Sequence, residues 1–191
     1  MMRRIVSLAL TLTVVCAAAA FALAYTYSLT RERIQAQIKE QEERAARSVI
    51  PAQGGVQPTV QEVEGKAKEL SGRYPGIIKV YSARTGETLV GHALQVRSRG
   101  YGGPVILMVG IRPGGEVAAV AVVEHRETPG LGNYIDDPAW RDQFAGKTRR
   151  DTLAANKDIN TVSGATISGK AVIRGVREAV EAFELLKGGG A

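Results

Sequence analysis

The chain holds a single cysteine, Cys16, in 191 residues. It therefore forms no internal disulfide and carries no zinc or iron–sulfur centre held by cysteines. Two histidines, His92 and His125, leave too little for a histidine-rich metal site, and no metal is expected. Aromatic residues make up only 5%, while glycine supplies 22 positions. That balance favours a turn-rich domain over a helical bundle. Lys and Arg number 25 against 19 Asp and Glu, a mild +6. No long basic run and no aromatics set between basic residues are present, so nucleic acid is not an expected partner. Any redox chemistry has to come from a cofactor that needs neither thiolate nor imidazole ligands.

Charge is absent from one long stretch, Ile5 to Tyr27, 23 residues following Arg3 and Arg4. As a helix it spans roughly 34 Å at about 1.5 Å per residue, enough for a hydrocarbon core of about 30 Å. Tyr25 and Tyr27 close it where a membrane interface favours such side chains. Residues 1–27 are read as a retained transmembrane anchor. A cleaved signal peptide is the rival reading, since Ala17 to Ala20 offers small-residue cleavage sites. The signal-like start places the rest of the chain on the periplasmic or exterior side of the cytoplasmic membrane. The basic residues Arg31, Arg33, Lys39, Arg44 and Arg47 just beyond the run argue the other way. Without residues 1–27 the balance is 23 basic against 19 acidic side chains, an ordinary globular value.

Residues 28–58 read as a polar helical stalk followed by a linker. Leu29, Ile34, Ile38, Ala45 and Val49 give only a thin apolar stripe, which fits a solvated helix or one packed on a neighbouring protein. Pro51 to Pro58, PAQGGVQP, breaks the helix. The domain proper is set at 59–191. Strand-like runs cover Ile77–Tyr81, Thr88–Arg97, Val105–Ile111 and Val117–Glu124, separated by Gly- and Pro-rich turns. Val105 to Val109 is continuously apolar and predicts a central strand buried on both faces. A short helix is expected around Asp137–Phe144 and an amphipathic closing helix over Gly169–Lys187. Gly188 to Gly190 is expected to end it. The order predicts an α+β fold, an antiparallel-rich sheet with a C-terminal packing helix.

Two segments are too particular for plain scaffolding. His125 to Tyr134, HRETPGLGNY, leaves a strand through a Pro/Gly loop with exposed amides. Thr161 to Gly169, TVSGATISG, sets small hydroxyl residues and glycine ahead of the last helix, where free N–H groups favour an anion such as phosphate. An ordinary strand-to-helix connection, and helix capping by Thr166 or Ser168, are the plainer readings. No catalytic Ser/His/Asp set is identifiable, and no residue is assigned a catalytic role.

Ser163-Gly164-Ala165-Thr166, with Glu127-Thr128-Pro129-Gly130-Leu131-Gly132 and Gly100-Tyr101-Gly102-Gly103-Pro104 upstream, resembles the FMN-binding domain of the G subunit of the Rnf ion-translocating electron-transport complex. The related C subunit of the sodium-pumping NADH:quinone reductase shares that domain. The resemblance implies an electron-carrying flavoprotein component, not catalytic alone. FMN would be joined by a phosphodiester to Thr166. Glu127, Thr128, Gly130, Leu131, Gly132, Ser163, Gly164, Ala165, Ile167 and Ser168 would form the cofactor site. Other membrane subunits, and a flavin transferase for maturation, are the implied partners. The family's motif carries Asp three residues before its Ser, where this chain has Asn160, with Asp158 two residues earlier; it favours Thr where Ser168 stands. A role like that of the quinone reductase's C subunit, or a structural component without flavin, are the alternatives.

Overall fold

The computed structural model describes residues 2–52 and 55–188, and the chain divides into two compact units, one ending at Gln41 and one starting at Glu42. Helix α1 runs Met2–Ser48 without a break. An 18-residue window within it has a mean hydropathy of 2.4 and none of its surface buried, so α1 is long and apolar enough to cross a membrane. Thr11, Thr13 and Thr26 donate their hydroxyls to the carbonyls of Ser7, Ala9 and Ala22 one turn back, at 2.8–2.9 Å. These three hydroxyls are thus satisfied within the helix, as an apolar surrounding demands.

In the second unit five strands pair antiparallel in chain order: β1 Thr59–Glu62, β2 Ile77–Thr85, β3 Thr88–Arg99, β4 Pro104–Ile111 and β5 Val117–Glu124. Helix α2, Lys66–Ser71, joins β1 to β2. The β2–β3 hairpin closes between Thr85 and Thr88, with Gly86 at φ +61°, a two-residue turn of the kind that calls for positive φ. The four strands expected from the sequence are present. The edge strand β1 and helix α2 were not foreseen. β1 buries only Val60 of its four residues, so it carries no alternating signal.

Helix α4, Thr166–Gly188, covers one face of the sheet. Val172, Val176 and Phe183 share a core with Leu94, Val96, Leu107, Val109 and Ile111. Gly175 permits the close fit, because a Cβ there would stand 2.6 Å from Leu107 Cδ1. The other face carries Tyr81, Ala93 and Met108 against Ala46, Val49 and Ile50. β4 is therefore buried on both sides, as its unbroken apolar run predicts: Leu107 and Val109 face α4, and Met108 faces the end of α1.

The last turns of α1 thus differ from either expected fate of the stalk. From Glu42 they pack on the sheet of their own chain. Glu42 is buried there, with Oε2 accepting from Lys79 Nζ at 2.5 Å and Oε1 from Gln95 Nε2 at 3.1 Å. The Tyr81 hydroxyl also donates to Glu42, at 3.4 Å. Burial first, and the Glu42 charge second, push the Tyr81 phenol above its ordinary range. The linker read at 51–58 includes residues 53 and 54, which lie outside the described residues, as do residues 189–190 of the glycine-rich end.

The helix expected over Asp137–Phe144 is α-helical only as α3, Pro138–Arg141, with single 3₁₀ turns at Gly132–Asp136 and Asp142–Phe144. Asp137 caps α3 by accepting from Ala139 N–H at 3.0 Å. The closing helix begins at Thr166, three residues before the periodicity indicates, because Gly164 turns the chain at φ +82° just ahead of it.

Candidate functional site

β5 ends at Glu124, and the chain crosses to the N-terminal end of α4. His125 stands first. Its Nδ1 accepts from the Glu127 N–H at 3.0 Å, and its Nε2 lies 2.7 Å from Asp136 Oδ2. That pattern assigns the proton to Nε2, because Nδ1 is used as an acceptor. The histidine so fixes where the backbone delivers Glu127.

Glu127 is 5% exposed and fully engaged. Its Oε1 accepts from the N–H groups of Tyr101, at 2.9 Å, and Gly102, at 3.2 Å. Its Oε2 accepts from the Ser168 hydroxyl, on the first turn of α4. One carboxylate thereby joins three segments far apart in sequence: the β3–β4 turn, the loop after β5 and the start of α4. Gly100 and Gly102 leave room for this contact, since a Cβ at either would overlap Glu127 Oε1 or the Arg126 carbonyl.

The loop itself folds on the Thr128 carbonyl, which accepts from Gly132 N–H at 2.9 Å and from Leu131 N–H at 3.2 Å. Gly130 turns it at φ +73°, which a side chain adopts only at a cost. At Gly132 a Cβ would stand 2.8 Å from Ser168 Oγ and 2.9 Å from Glu127 Cβ. Glycine is needed there for the loop to lie against the helix.

The segment before α4 is braced from below. Trp140 Nε1 donates to the Asn160 carbonyl at 2.6 Å, and the Trp140 ring meets Tyr134 edge-on at 4.9 Å. The Tyr134 hydroxyl donates to the Ala165 carbonyl at 3.4 Å, and burial pushes the Tyr134 phenol up. Asp158 accepts from the N–H groups of Leu153 and Ala154 at 2.8 and 2.7 Å. Burial raises the Asp158 carboxyl, but these donors outweigh that and hold it below the usual range. Its carboxylate is thus committed to the turn it closes. Asn160 is exposed on the same segment.

Between these parts lies a cavity of about 280 Å³. Glu127, Thr128, Leu131 and Gly132 line it from the loop; Gly164, Ala165, Ile167 and Ser168 line it from the helix start. Tyr101 completes the wall from the β3–β4 turn. Eight of the residues expected from the sequence are therefore brought to one cavity. Gly130, Ser163 and Thr166 are not part of its lining. Thr166 is half-buried between two lining residues, Ala165 and Ile167, and its hydroxyl has no hydrogen-bond partner among the described residues. The capping alternative does not hold for Ser168, whose hydroxyl is spent on Glu127. Tyr101 was missed as a site residue. Its signal was an aromatic inside a glycine-rich turn.

Two family models match the chain: the RnfG N-terminal region over residues 1–49, and the FMN-binding domain over residues 100–181. The second match covers the β3–β4 turn, the loop after β5 and most of α4, the three sources of the cavity. The combination is an N-terminal helix long and apolar enough to cross a membrane, followed by a domain that matches the FMN-binding model. The chain is thus similar, in both of its parts, to RnfG-type proteins that carry this domain. It is 39% identical over 115 residues to the G subunit of the proton-translocating ferredoxin:NAD(+) oxidoreductase complex of Clostridium ljungdahlii, covering 57% of this chain and 62% of that protein. It is 36% identical over 115 residues to the G subunit of the ion-translocating oxidoreductase complex of Stutzerimonas stutzeri, covering 56% of this chain and 50% of that protein. The chain thus spans less than two thirds of these relatives' length. The crystal structure of Shewanella oneidensis NqrC superposes with a TM-score of 0.56 at 18% identity, covering 78% of this chain and 95% of NqrC. At that identity the likeness is one of fold.

Proposed function

We propose that this protein is a membrane-anchored flavoprotein subunit of an ion-translocating electron-transport complex, with FMN held in the cavity at the end of β5 and esterified through its phosphate to the Thr166 hydroxyl. The observation that carries this reading is the closing of one cavity by two segments about 40 residues apart, tied at Glu127 and Ser168. Both lie within the match to the FMN-binding domain.

The donor set suits the cofactor. About 280 Å³ sits at the lower end of ligand pockets, which run from about 300 to 1,000 Å³. That is a size for a flat ring system, not for a whole nucleotide. Tyr101, Leu131 and Ile167 offer apolar faces to such a ring and remain partly exposed, at 70%, 46% and 51%. Gly164 and Ala165 beside Thr166 leave its hydroxyl open to a modifying enzyme. The free N–H groups at the start of α4 stabilise the charge that a phosphodiester retains. Bound FMN supplies the redox chemistry by taking up and passing on electrons. The chain's residues hold the ring, exclude part of its surface from water and fix the attachment point.

α1 serves as the anchor in this reading, with the domain on the periplasmic or exterior side of the cytoplasmic membrane. A flavin transferase and the neighbouring membrane subunits are its partners. Proteolysis of intact spheroplasts should digest the domain; protection until the membrane is opened would reverse the orientation.

Intact mass of the protein from its native membrane tests the cofactor and its linkage together. An increment of FMN less one water is expected, mapping to the peptide that contains Thr166. Thr166→Val removes the hydroxyl at nearly constant shape and should abolish in-gel flavin fluorescence while leaving the unfolding midpoint in place. Full flavinylation of that variant, or a modified Ser163, would refute the attachment site.

A further inference from the structure

A second concavity lies beside the site, at the end of β3. It has a volume of about 550 Å³, and its charged lining is Arg97, Arg99, Arg174 and Glu178. We propose that this groove is a docking site for an acidic segment of a neighbouring protein in the complex, which it seats next to the cavity described above. The proposal rests on the reading of the chain as part of a membrane complex.

The groove exists because the sheet is uneven. β2 starts at Ile77, opposite Val96, so the last three residues of β3 extend past their neighbour. That edge is closed to strand addition. The Arg97 N–H already donates to the Gly76 carbonyl at 2.7 Å, and Arg174 donates to the Arg99 carbonyl at 2.5 Å. What the groove offers a partner is side-chain charge.

Three arginines against one glutamate leave the lining at a net +2. Glu178, the only acid in the lining, has its Oε1 occupied by the Gly76 N–H at 2.7 Å. The exposed guanidinium groups of Arg97 and Arg99 form no ion pair or hydrogen bond among the described residues. Several basic side chains elsewhere do have an acidic partner: Lys79 has Glu42, Lys66 has Glu69, Arg47 has Glu43 and Arg112 has Glu116. Planar guanidinium forks bind carboxylates in pairs of parallel hydrogen bonds. A concave site with its cations set inside accepts a protruding acidic loop or helix end. It presents them poorly to a flat layer of lipid headgroups.

Position gives the charge its use. Gly103 and Pro104 line the groove, while Tyr101 of the same turn lines the cavity. Tyr101 and Gly103 are two residues apart, so their Cα atoms lie at most about 7 Å from one another. A segment seated in the groove therefore stands at the mouth of the cavity, where an electron partner has to approach. Such charges chiefly set encounter rate and choice of partner.

The test uses the full chain in its native membrane, with a photo-cross-linking benzoylphenylalanine replacing Pro75, an exposed groove residue whose loss spares all three arginines. Irradiation should link the chain to one segment of another membrane protein of the complex, rich in Asp and Glu when the linked peptide is mapped. Arg97→Glu with Arg99→Glu should lower the yield at least about ten-fold, a free-energy difference of about 1.4 kcal/mol. Reversing the mapped acids to Lys should restore it. Arg97→Gln with Arg99→Gln gives the same readout with a smaller loss if the reversal fails to fold. An unchanged yield in the charge-altered chains, a link to a segment without acids, or a link to phospholipid alone would overturn the proposal. In-gel fluorescence of the unaltered chain in the same samples reports on the flavin separately: its absence would strike the cofactor reading and leave the cross-link to decide the groove.

Discussion

Ser168→Ala cuts the bond that ties the two halves of the candidate site. Glu127 is 5% exposed and Ser168 2%, so water replaces the lost partner poorly. The carboxylate is not stranded altogether, because Oε1 keeps the N–H groups of Tyr101 at 2.9 Å and Gly102 at 3.2 Å. Only Oε2 loses its donor. A hydrogen bond to a charged group contributes about 1.5–3 kcal/mol, and leaving a buried acceptor unpaired costs about 1–3 kcal/mol. The loss of one hydroxyl oxygen adds little cavity. The expected destabilisation is about 2 kcal/mol, roughly a 30-fold change in the folding equilibrium and a sizeable part of the ~5–15 kcal/mol that typical domains possess.

Trp140 is the chain's one tryptophan and a suitable reporter, packed on Tyr134 and hydrogen-bonded to the Asn160 carbonyl just before the helix. Urea unfolding of the full chain in detergent, followed by its fluorescence, should show a lower midpoint at unchanged slope. Glu127→Gln supplies the second arm of a double-mutant cycle. In that background Ser168→Ala should cost about 1 kcal/mol less than in the parent, because the charged acceptor is already gone. A loss under about 0.5 kcal/mol, the usual effect of a bland substitution, would refute the reasoning. So would strict additivity of the two changes.

Gly132→Val sets a Cβ only 2.8 Å from Ser168 Oγ, and should cost about 1–3 kcal/mol by overpacking while lowering the flavin content measured by absorbance. His92 is half-buried, with its ring 5.5 Å from Phe183, and burial first and Arg84 second lower its pKa. The unfolded chain therefore takes up a proton there below about pH 6.5 that the folded chain refuses, so stability falls as pH drops below that value, by at most about 1.4 kcal/mol per pH unit. His92→Gln should flatten this dependence in urea midpoints taken from pH 7.5 to 5; an unchanged slope would assign the dependence to other groups. A soluble fragment starting at Glu42 should be more stable than one starting at Pro51 by roughly 3–6 kcal/mol, since Val49 and Ile50 are 1% and 2% exposed and each contributes about 1.5–3 kcal/mol by burial. Equal urea midpoints for the two fragments would show that residues 42–50 add nothing to the domain.

The site was legible where a residue's type answered a local demand. Pro129, Gly130 and Gly132 mark a chain leaving its strand, and Gly164 marks a turn into a helix; the structure places positive φ at Gly130 and Gly164 and a close approach at Gly132. That both loops close one cavity was carried by the family resemblance and not by either loop alone. Glu127 reads as an exposed loop acid until the amides of Tyr101 and Gly102 meet it. Those amides are 25 and 26 residues away, and nothing local in TPGLG or in YGGP announces the pairing. Asp158 is the converse case. Its proximity to Asn160 invites a functional reading from sequence, whereas the folded chain uses it to close the Leu153–Ala154 turn.

The boundary at the end of α1 shows the same limit in the fold. Residues 28–49 have a thin apolar stripe, and thinness alone does not say whether a stripe is solvated or buried. The difference lies on the sheet. Gly91 and Gly110 are two residues of β3 and β4 that a propensity argument counts against a strand. A Cβ at Gly91 would stand 3.1 Å from Ile50 Cδ1, and one at Gly110 would stand 3.0 Å from Val49 Cβ and overlap its carbonyl. The glycines that weaken the strands are thus the seat of the helix end. With Glu42 paired to Lys79 and Gln95 about two turns earlier, the two apolar residues and the one buried acid hold residues 42–50 against the sheet. Read singly, an interior strand glycine, a sparse apolar stripe and a stalk glutamate each point to a weak or solvated element. Together they are the two sides of one contact, and only the register of β3 against β4, which sets Ala93 opposite Gly110, brings them to the same place.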